Sequence, residues 1–153
     1  LRKEGATAMS LPDESWANCY IKSLNLLPNS LAKQTAHDAG YYEAILYKDG
    51  YVTEGSSSNV FMVKDGNIYT TPLTKQILPG ITRHVVQNLA NSLSIPFEEK
   101  HFSVDELKGA DEVFITSTVA EVLPIVKVDD TKIGAGTPGA ITNQLYVEFK
   151  KLV

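Results

Sequence analysis

Tyr41-Tyr42-Glu43-Ala44-Ile45-Leu46-Tyr47-Lys48-Asp49-Gly50-Tyr51-Val52-Thr53 is the stretch that decides the fold. An aromatic and β-branched run meets Asp-Gly, and a short run of the same kind follows at once. Asp-Gly accepts positive φ at both centre positions of a tight turn, so the two runs pair back on each other as a hairpin. The device recurs a few residues later: residues 60–63 and 67–71 flank Asp65-Gly66. Between the hairpins, Gly55-Ser56-Ser57-Ser58 breaks the strand pattern.

Working outward, residues 97–102, 112–116 and 125–128 read as further strands, and the opening contains another over 7–11. Pro28-Asn29 opens a helix over 30–39, which Gly40 ends. Val85, Val86, Leu89, Ala90 and Leu93 recur at helical spacing and predict an amphipathic helix over 83–93, with Thr82 as its N-cap. Ser103-Val104-Asp105-Glu106 has the form of a capping box. Pro138-Gly139 precedes a terminal helix over 140–152. The expected class is α+β: a mainly antiparallel sheet with helices packed around it. No repeat, low-complexity tract or internal linker interrupts it.

The chain has 153 residues, enough for one domain with a real core. Its net charge of -4 and lack of a basic run argue against nucleic acid as a partner. The single cysteine, Cys19, cannot form an internal disulfide, which suits a reducing cytoplasm. No apolar run approaches the roughly 20 residues of a membrane span. The chain opens on Leu1-Arg2-Lys3-Glu4-Gly5, without a signal core or an initiating Met, and is expected to be a fragment of something longer.

Several residues carry possible chemistry. Lys22 interrupts an apolar stretch between Ile21 and Leu24. Burial would lower its pKa and leave a nucleophilic amine, whereas the plainer reading is a strand lysine with its head in solvent. Thr82, following Gly80 at a helix start, is either an ordinary cap or part of an anion site. Ser117-Thr118 offers hydroxyls at a strand end. Residues 55–58 are either a flexible loop or a hydroxyl-lined binding loop, and Glu54 is by itself an ordinary carboxylate at a strand end. His37, His84 and His101 lack metal-ligand spacing, so no metal site is assigned. Neither a Gly-x-Ser-x-Gly elbow nor a Gly-rich nucleotide fingerprint is present.

Together, four segments resemble the class IV (fold type IV) pyridoxal-phosphate aminotransferases. Ile21-Lys22-Ser23-Leu24-Asn25-Leu26-Leu27 is similar to the family's Schiff-base lysine segment, and Glu54-Gly55-Ser56-Ser57-Ser58-Asn59-Val60-Phe61 to the one carrying the carboxylate that faces the pyridine nitrogen. Leu78-Pro79-Gly80-Ile81-Thr82-Arg83 resembles the phosphate-binding turn. Ala110-Asp111-Glu112-Val113-Phe114, with Ser117, Thr118 and Glu121, resembles the last cofactor strand and its loop.

The resemblance implies pyridoxal 5'-phosphate as cofactor, held by Lys22, which is also the catalytic base. It implies Glu54 at the ring nitrogen, Ile81, Thr82, Thr118 and Ser117 at the phosphate, Leu78 on the ring face and Ser57 behind the cofactor. Residues 19–153 would form the large C-terminal domain, with 1–18 leading in from a missing N-terminal domain. The implied substrates are an amino acid and a 2-oxo acid, and the implied assembly is a homodimer. The Lys-Ser-Leu-Asn-Leu-Leu wording and the triple serine are most like the D-amino-acid branch. Branched-chain aminotransferase, aminodeoxychorismate lyase and an inactive fragment are the alternatives, and a chain lacking the N-terminal domain is expected to be a poor catalyst.

Overall fold

The computed structural model describes residues 2–13, 27–73, 77 and 80–153. In chain order the elements are β1 (Ala6–Pro12), α1 (Leu27–Asp38), β2 (Glu43–Lys48), β3 (Tyr51–Gly55), β4 (Asn59–Lys64), β5 (Asn67–Thr70), α2 (Ile81–Ser92), β6 (Phe97–Glu99), α3 (Val104–Lys108), β7 (Glu112–Ser117), β8 (Glu121–Val128), β9 (Thr131–Lys132) and α4 (Ala140–Lys150). The strands form one sheet in the order β3-β2-β1-β8-β7-β4-β5-β6, with β9 paired to β8.

Both Asp-Gly hairpins form. Asp49 and Gly50 have φ of 53° and 85°, Asp65 and Gly66 have 53° and 79°, the backbone that short right-twisted hairpins require. The antiparallel pairs β2–β3, β4–β5, β4–β7, β7–β8 and β8–β9 follow. The sheet is nonetheless mixed, because β1 runs parallel to both β2 and β8, and β5 runs parallel to β6. A parallel pair needs a crossover, and the chain between β1 and β2 supplies one that includes α1. The strand expected over 97–102 is confined to Phe97–Glu99.

Each face of the sheet has its own core. One face gathers Ala6, Ala8, Ile45, Val52, Val60, Met62, Val113, Ile115, Leu123 and Ile125 with Phe102, Leu107 and Ile133. The opposite face of β4, β5, β7 and β8 presents Phe61, Val63, Ile68, Phe114 and Val122 to Val86 and Ala90 of α2 and to Leu145 and Phe149 of α4. Phe61 and Phe114 stack there with ring centres 4.7 Å apart. Ala44 and Leu46 pack with Ala36 of α1. Strand alternation therefore sends Glu43 and Ile45 to the inner face and Ala44 and Leu46 to the helix-covered one. The inner face ends in a cavity, and Glu43 stands at that end.

Candidate active site

The cavity has a volume of about 310 Å³ and is lined by residues of three regions: Lys33 of α1, Tyr42 and Glu43 at the head of β2 with Ser57 opposite, and Ile115 with residues 117–120 after β7. In the turn between β7 and β8 the Ala120 amide donates to Ser117 Oγ at 2.9 Å, so the Ser117 hydroxyl proton is available to a ligand. Thr118 and Val119 are exposed, and Val119, at 89% exposure, rims the opening.

The serine run is not a flexible loop. Its hydroxyls converge on the carboxylate of Glu43, which is buried. Oε1 accepts from the Ser56 hydroxyl and from the Ala44 amide at 2.8 Å. Oε2 accepts from the hydroxyls of Ser57 and Ser58, both at 3.1 Å. Gly55 is required at the head of the run, because a Cβ there would lie 2.0 Å from Ser58 Oγ and 3.3 Å from Glu43 Oε2.

A second group assembles at the start of α2. The helix begins at Ile81, and its N-cap is Gly80, with no side-chain cap. Thr82 is therefore inside the first turn and is not the N-cap expected from the sequence. The cap position must be small: a Cβ on Gly80 would fall 2.4 Å from Asn59 Oδ1. A helix starting this way leaves its first amides without intrahelical partners. Ile81 is 82% exposed, whereas Thr82 is buried. Thr116, which pairs with Asn59 across β4–β7 and so shares its face, is buried, and its hydroxyl has no hydrogen-bond partner among the described residues.

Arg83 follows Thr82 in the first turn of α2. Its guanidinium is 4% exposed, donates to the Thr71 carbonyl at 2.8 Å and pairs with Glu99 at 2.6 Å. Burial pushes its pKa down from the ordinary value, against the hydrogen bond and charge of Glu99 and the charge of Glu54. Glu54 is buried near the end of β3, within electrostatic reach of Arg83 and three residues before Ser57. It is thus no solvated strand-end carboxylate.

Of the residues singled out from sequence, Ser57, Ser117 and Thr118 meet at the cavity, while Glu54, Ile81 and Thr82 do not line it. Lys22 and Leu78 lie outside the described residues. Glu43, Lys33 and Tyr42 were not foreseen. The signal for Glu43 was a lone carboxylate heading an apolar strand. Among the described residues no group of three or more His, Cys, Asp and Glu could hold a metal, and no helix is long and apolar enough to cross a membrane.

The family profile described as amino-transferase class IV matches residues 2–128. The chain belongs to the class IV aminotransferases. It is 49% identical to a D-alanine aminotransferase of Bacillus licheniformis and 48% identical to one of Staphylococcus aureus (strain N315), in each case over 99% of this chain and 54% of the relative. Among solved structures, the branched-chain amino acid aminotransferase from Escherichia coli superposes with a TM-score of 0.85 at 35% identity, over 97% of this chain and 52% of that one. The PLP-form (holo-form) of the branched-chain enzyme from Thermobaculum terrenum gives 0.89 at 32% identity, over 98% and 51%. The class IV chain described here thus spans about half the length of the relatives it matches.

Proposed function

We propose that this chain is the cofactor-binding part of a pyridoxal-phosphate-dependent aminotransferase that moves an amino group between a D-amino acid, D-alanine foremost, and a 2-oxo acid. The observation that carries the reading is a hydroxyl-lined cavity in a domain that also offers an uncapped helix N-terminus at α2 and a buried carboxylate, Glu54. The D-alanine preference rests on 49% identity to a D-alanine aminotransferase, against 32–35% to the superposed branched-chain enzymes.

The residues present fit the cofactor. A phosphate dianion matches free amides at the start of α2, where the helix dipole adds positive potential and the Thr116 hydroxyl lacks a partner among the described residues. The amides of Ile81 and Thr82, the Thr82 hydroxyl, and Thr118 with Ser117 would hold that group. Glu54, buried, would face the ring nitrogen and raise its proton affinity, because an opposite charge favours the protonated form. Leu78 would pack on the ring and Ser57 would orient groups behind it. When bound, the cofactor supplies the electron sink for the chemistry. Lys22 would carry the cofactor and move a proton on and off the substrate α-carbon.

The cofactor-binding unit in this reading comprises residues 19–153 together with β1, which lies between β2 and β8 of the same sheet. Residues 1–18 lead in from a further N-terminal domain, which would cover the apolar rim at Val119 and supply further phosphate and substrate-carboxylate contacts. The working protein is a cytoplasmic homodimer, and the chain by itself turns over weakly. The test is an assay of the protein carrying this chain with D-alanine, L-leucine and aminodeoxychorismate, run beside Lys22→Ala. Turnover of D-alanine that disappears in the variant is expected. Turnover of L-leucine alone would move the protein to the branched-chain enzymes, and undiminished activity in Lys22→Ala would overturn the mechanism.

A further inference from the structure

Pairing of β1 with β8 begins at Ala6 and Ile125, whereas β8 itself starts at Glu121. Over that first stretch of β8 a side chain takes the part of a neighbouring strand. Arg2 donates from one guanidinium nitrogen to the Val122 carbonyl and from the other to the Ala120 carbonyl at 2.9 Å. A planar fork with fixed donors suits two acceptors that stand two residues apart. The same guanidinium lies 3.8 Å from the centre of the Tyr146 ring of α4, which steadies it.

The segment in this grip is the turn that joins β7 to β8. Ala120 links the grip to the turn's hydroxyl: its carbonyl accepts from Arg2, and its amide donates to Ser117 Oγ at 2.9 Å. The next residue, Glu121, has a φ of 61°, a backbone that favours glycine. Such a conformation persists where its surroundings over-determine it. Here the Glu121 carboxylate is held between two cations, Arg2 at 3.7 Å and Lys150 at 3.2 Å. Arg2 does not line the cavity, whereas residues 117–120 do.

An anion needs hydrogen-bond donors, and a turn offers carbonyl acceptors as readily as donors. In this turn the Ala120 and Val122 carbonyls are engaged by Arg2. The Ser117 hydroxyl, already accepting from Ala120, keeps its proton to give. We propose that Arg2 is a positioning residue: by holding the Ala120 and Val122 carbonyls it sets the β7–β8 turn so that Ser117 donates to the cofactor's phosphate group. The inference rests on the reading of the chain as a pyridoxal-phosphate enzyme. Arg2 touches no ligand and acts on the site through Ala120.

The test compares the affinity of the apoprotein carrying this chain for pyridoxal 5'-phosphate and for pyridoxal, which has the same ring and aldehyde and no phosphate. Equilibrium dialysis measures both, and their ratio is the phosphate preference. Arg2→Met should lower that preference about tenfold, the loss of one charge-assisted hydrogen bond, and leave pyridoxal bound as before. Ser117→Ala should lower it by a similar factor. The double variant should lose no more than Ser117→Ala alone, because a residue that acts through Ser117 has nothing left to position. A brace for the fold alone would weaken both ligands equally, and a charge acting at a distance would add to the loss from Ser117→Ala; either result would overturn the proposal. If Arg2→Met fails to fold, Arg2→Lys serves in the same cycle, since it keeps a cation beside Glu121 and gives up the planar fork. A parent that prefers the phosphorylated ligand, with the preference intact in the Arg2 variant, would remove this inference and leave the reading of function standing. A parent that binds both ligands alike would remove the phosphate site itself, and the inference with it.

Discussion

At the scale of single residues, Arg83 shows how much can rest on one side chain. It is 4% exposed, and its partners are the Thr71 carbonyl and the carboxylate of Glu99. Replacing it by Met keeps most of the volume and removes both contacts, together with the positive charge that Glu54 and Glu99 both feel. Arg83→Met should cost about 2–4 kcal/mol in urea denaturation, since the Thr71 carbonyl is left buried without its donor. Gly55→Ala should cost about 1–3 kcal/mol by the same measurement, because the added methyl displaces Ser58 Oγ from Glu43. A loss within experimental error would show that the serine run can re-form around the methyl. Glu43 itself was barely legible in the sequence. One carboxylate at the head of an apolar run looks like a strand end, and nothing local reveals that Ser56, Ser57 and Ser58 fold back onto it. The serines drew attention through family resemblance; their common partner is a fact of tertiary structure.

At the scale of elements, what was legible is what is local. The two Asp-Gly hairpins declare themselves in two residues each, and the capping box at Ser103 forms as read, with Glu106 answering the Ser103 amide. The start of α2 was misplaced because Thr82 is a better capping residue than glycine by propensity. A side chain at Gly80 would meet Asn59 of β4, a contact between distant parts of the chain that helix statistics do not contain. The parallel pairs of β1 were equally invisible, since no turn signal accompanies a crossover. Helix α4 shows the same rule in its cap. Its N-cap is Gly139, with no side-chain cap of its own, and Glu112 of β7 accepts instead from the Ile141 amide at 3.1 Å and the Thr142 amide at 2.8 Å. Glu112→Ala should therefore behave as loss of a helix cap, about 1–2 kcal/mol in thermal denaturation, although the two residues of each contact lie 29 and 30 positions apart. A neutral result would mean that the first turn of α4 finds an equivalent acceptor in water.

At the scale of the whole molecule, the opening strand is joined to the far end of the chain through Asp129. Its carboxylate accepts from the Ser10 amide at 2.8 Å and the Ser10 hydroxyl at 2.5 Å, and pairs with Lys108 at 3.1 Å. Burial acts to raise its pKa, but the two Ser10 hydrogen bonds and Lys108 outweigh it and hold the group below its ordinary value of 3.8. A carboxyl with a depressed folded pKa contributes stability that is fully present above its ordinary value and is lost as the pH falls through the folded one. Asp129→Asn keeps a residue that tolerates the positive φ of 52° here. The stability gap between parent and variant should be constant near neutral pH and shrink below about pH 4; a gap that persists to the lowest pH at which the protein folds would show that Asp129 acts by shape and not by charge. The pairing of β1 with β8 also has a consequence in time. Ala6 faces Ile125 across the middle of the sheet, so β1 leaves the ribosome more than a hundred residues before the strand that covers its second edge. During that wait its unpaired backbone is a template for any passing strand. A nascent chain halted before β8 should accordingly be the aggregating species, and synthesis of residues 121–128 should be the moment at which the protein becomes resistant to protease.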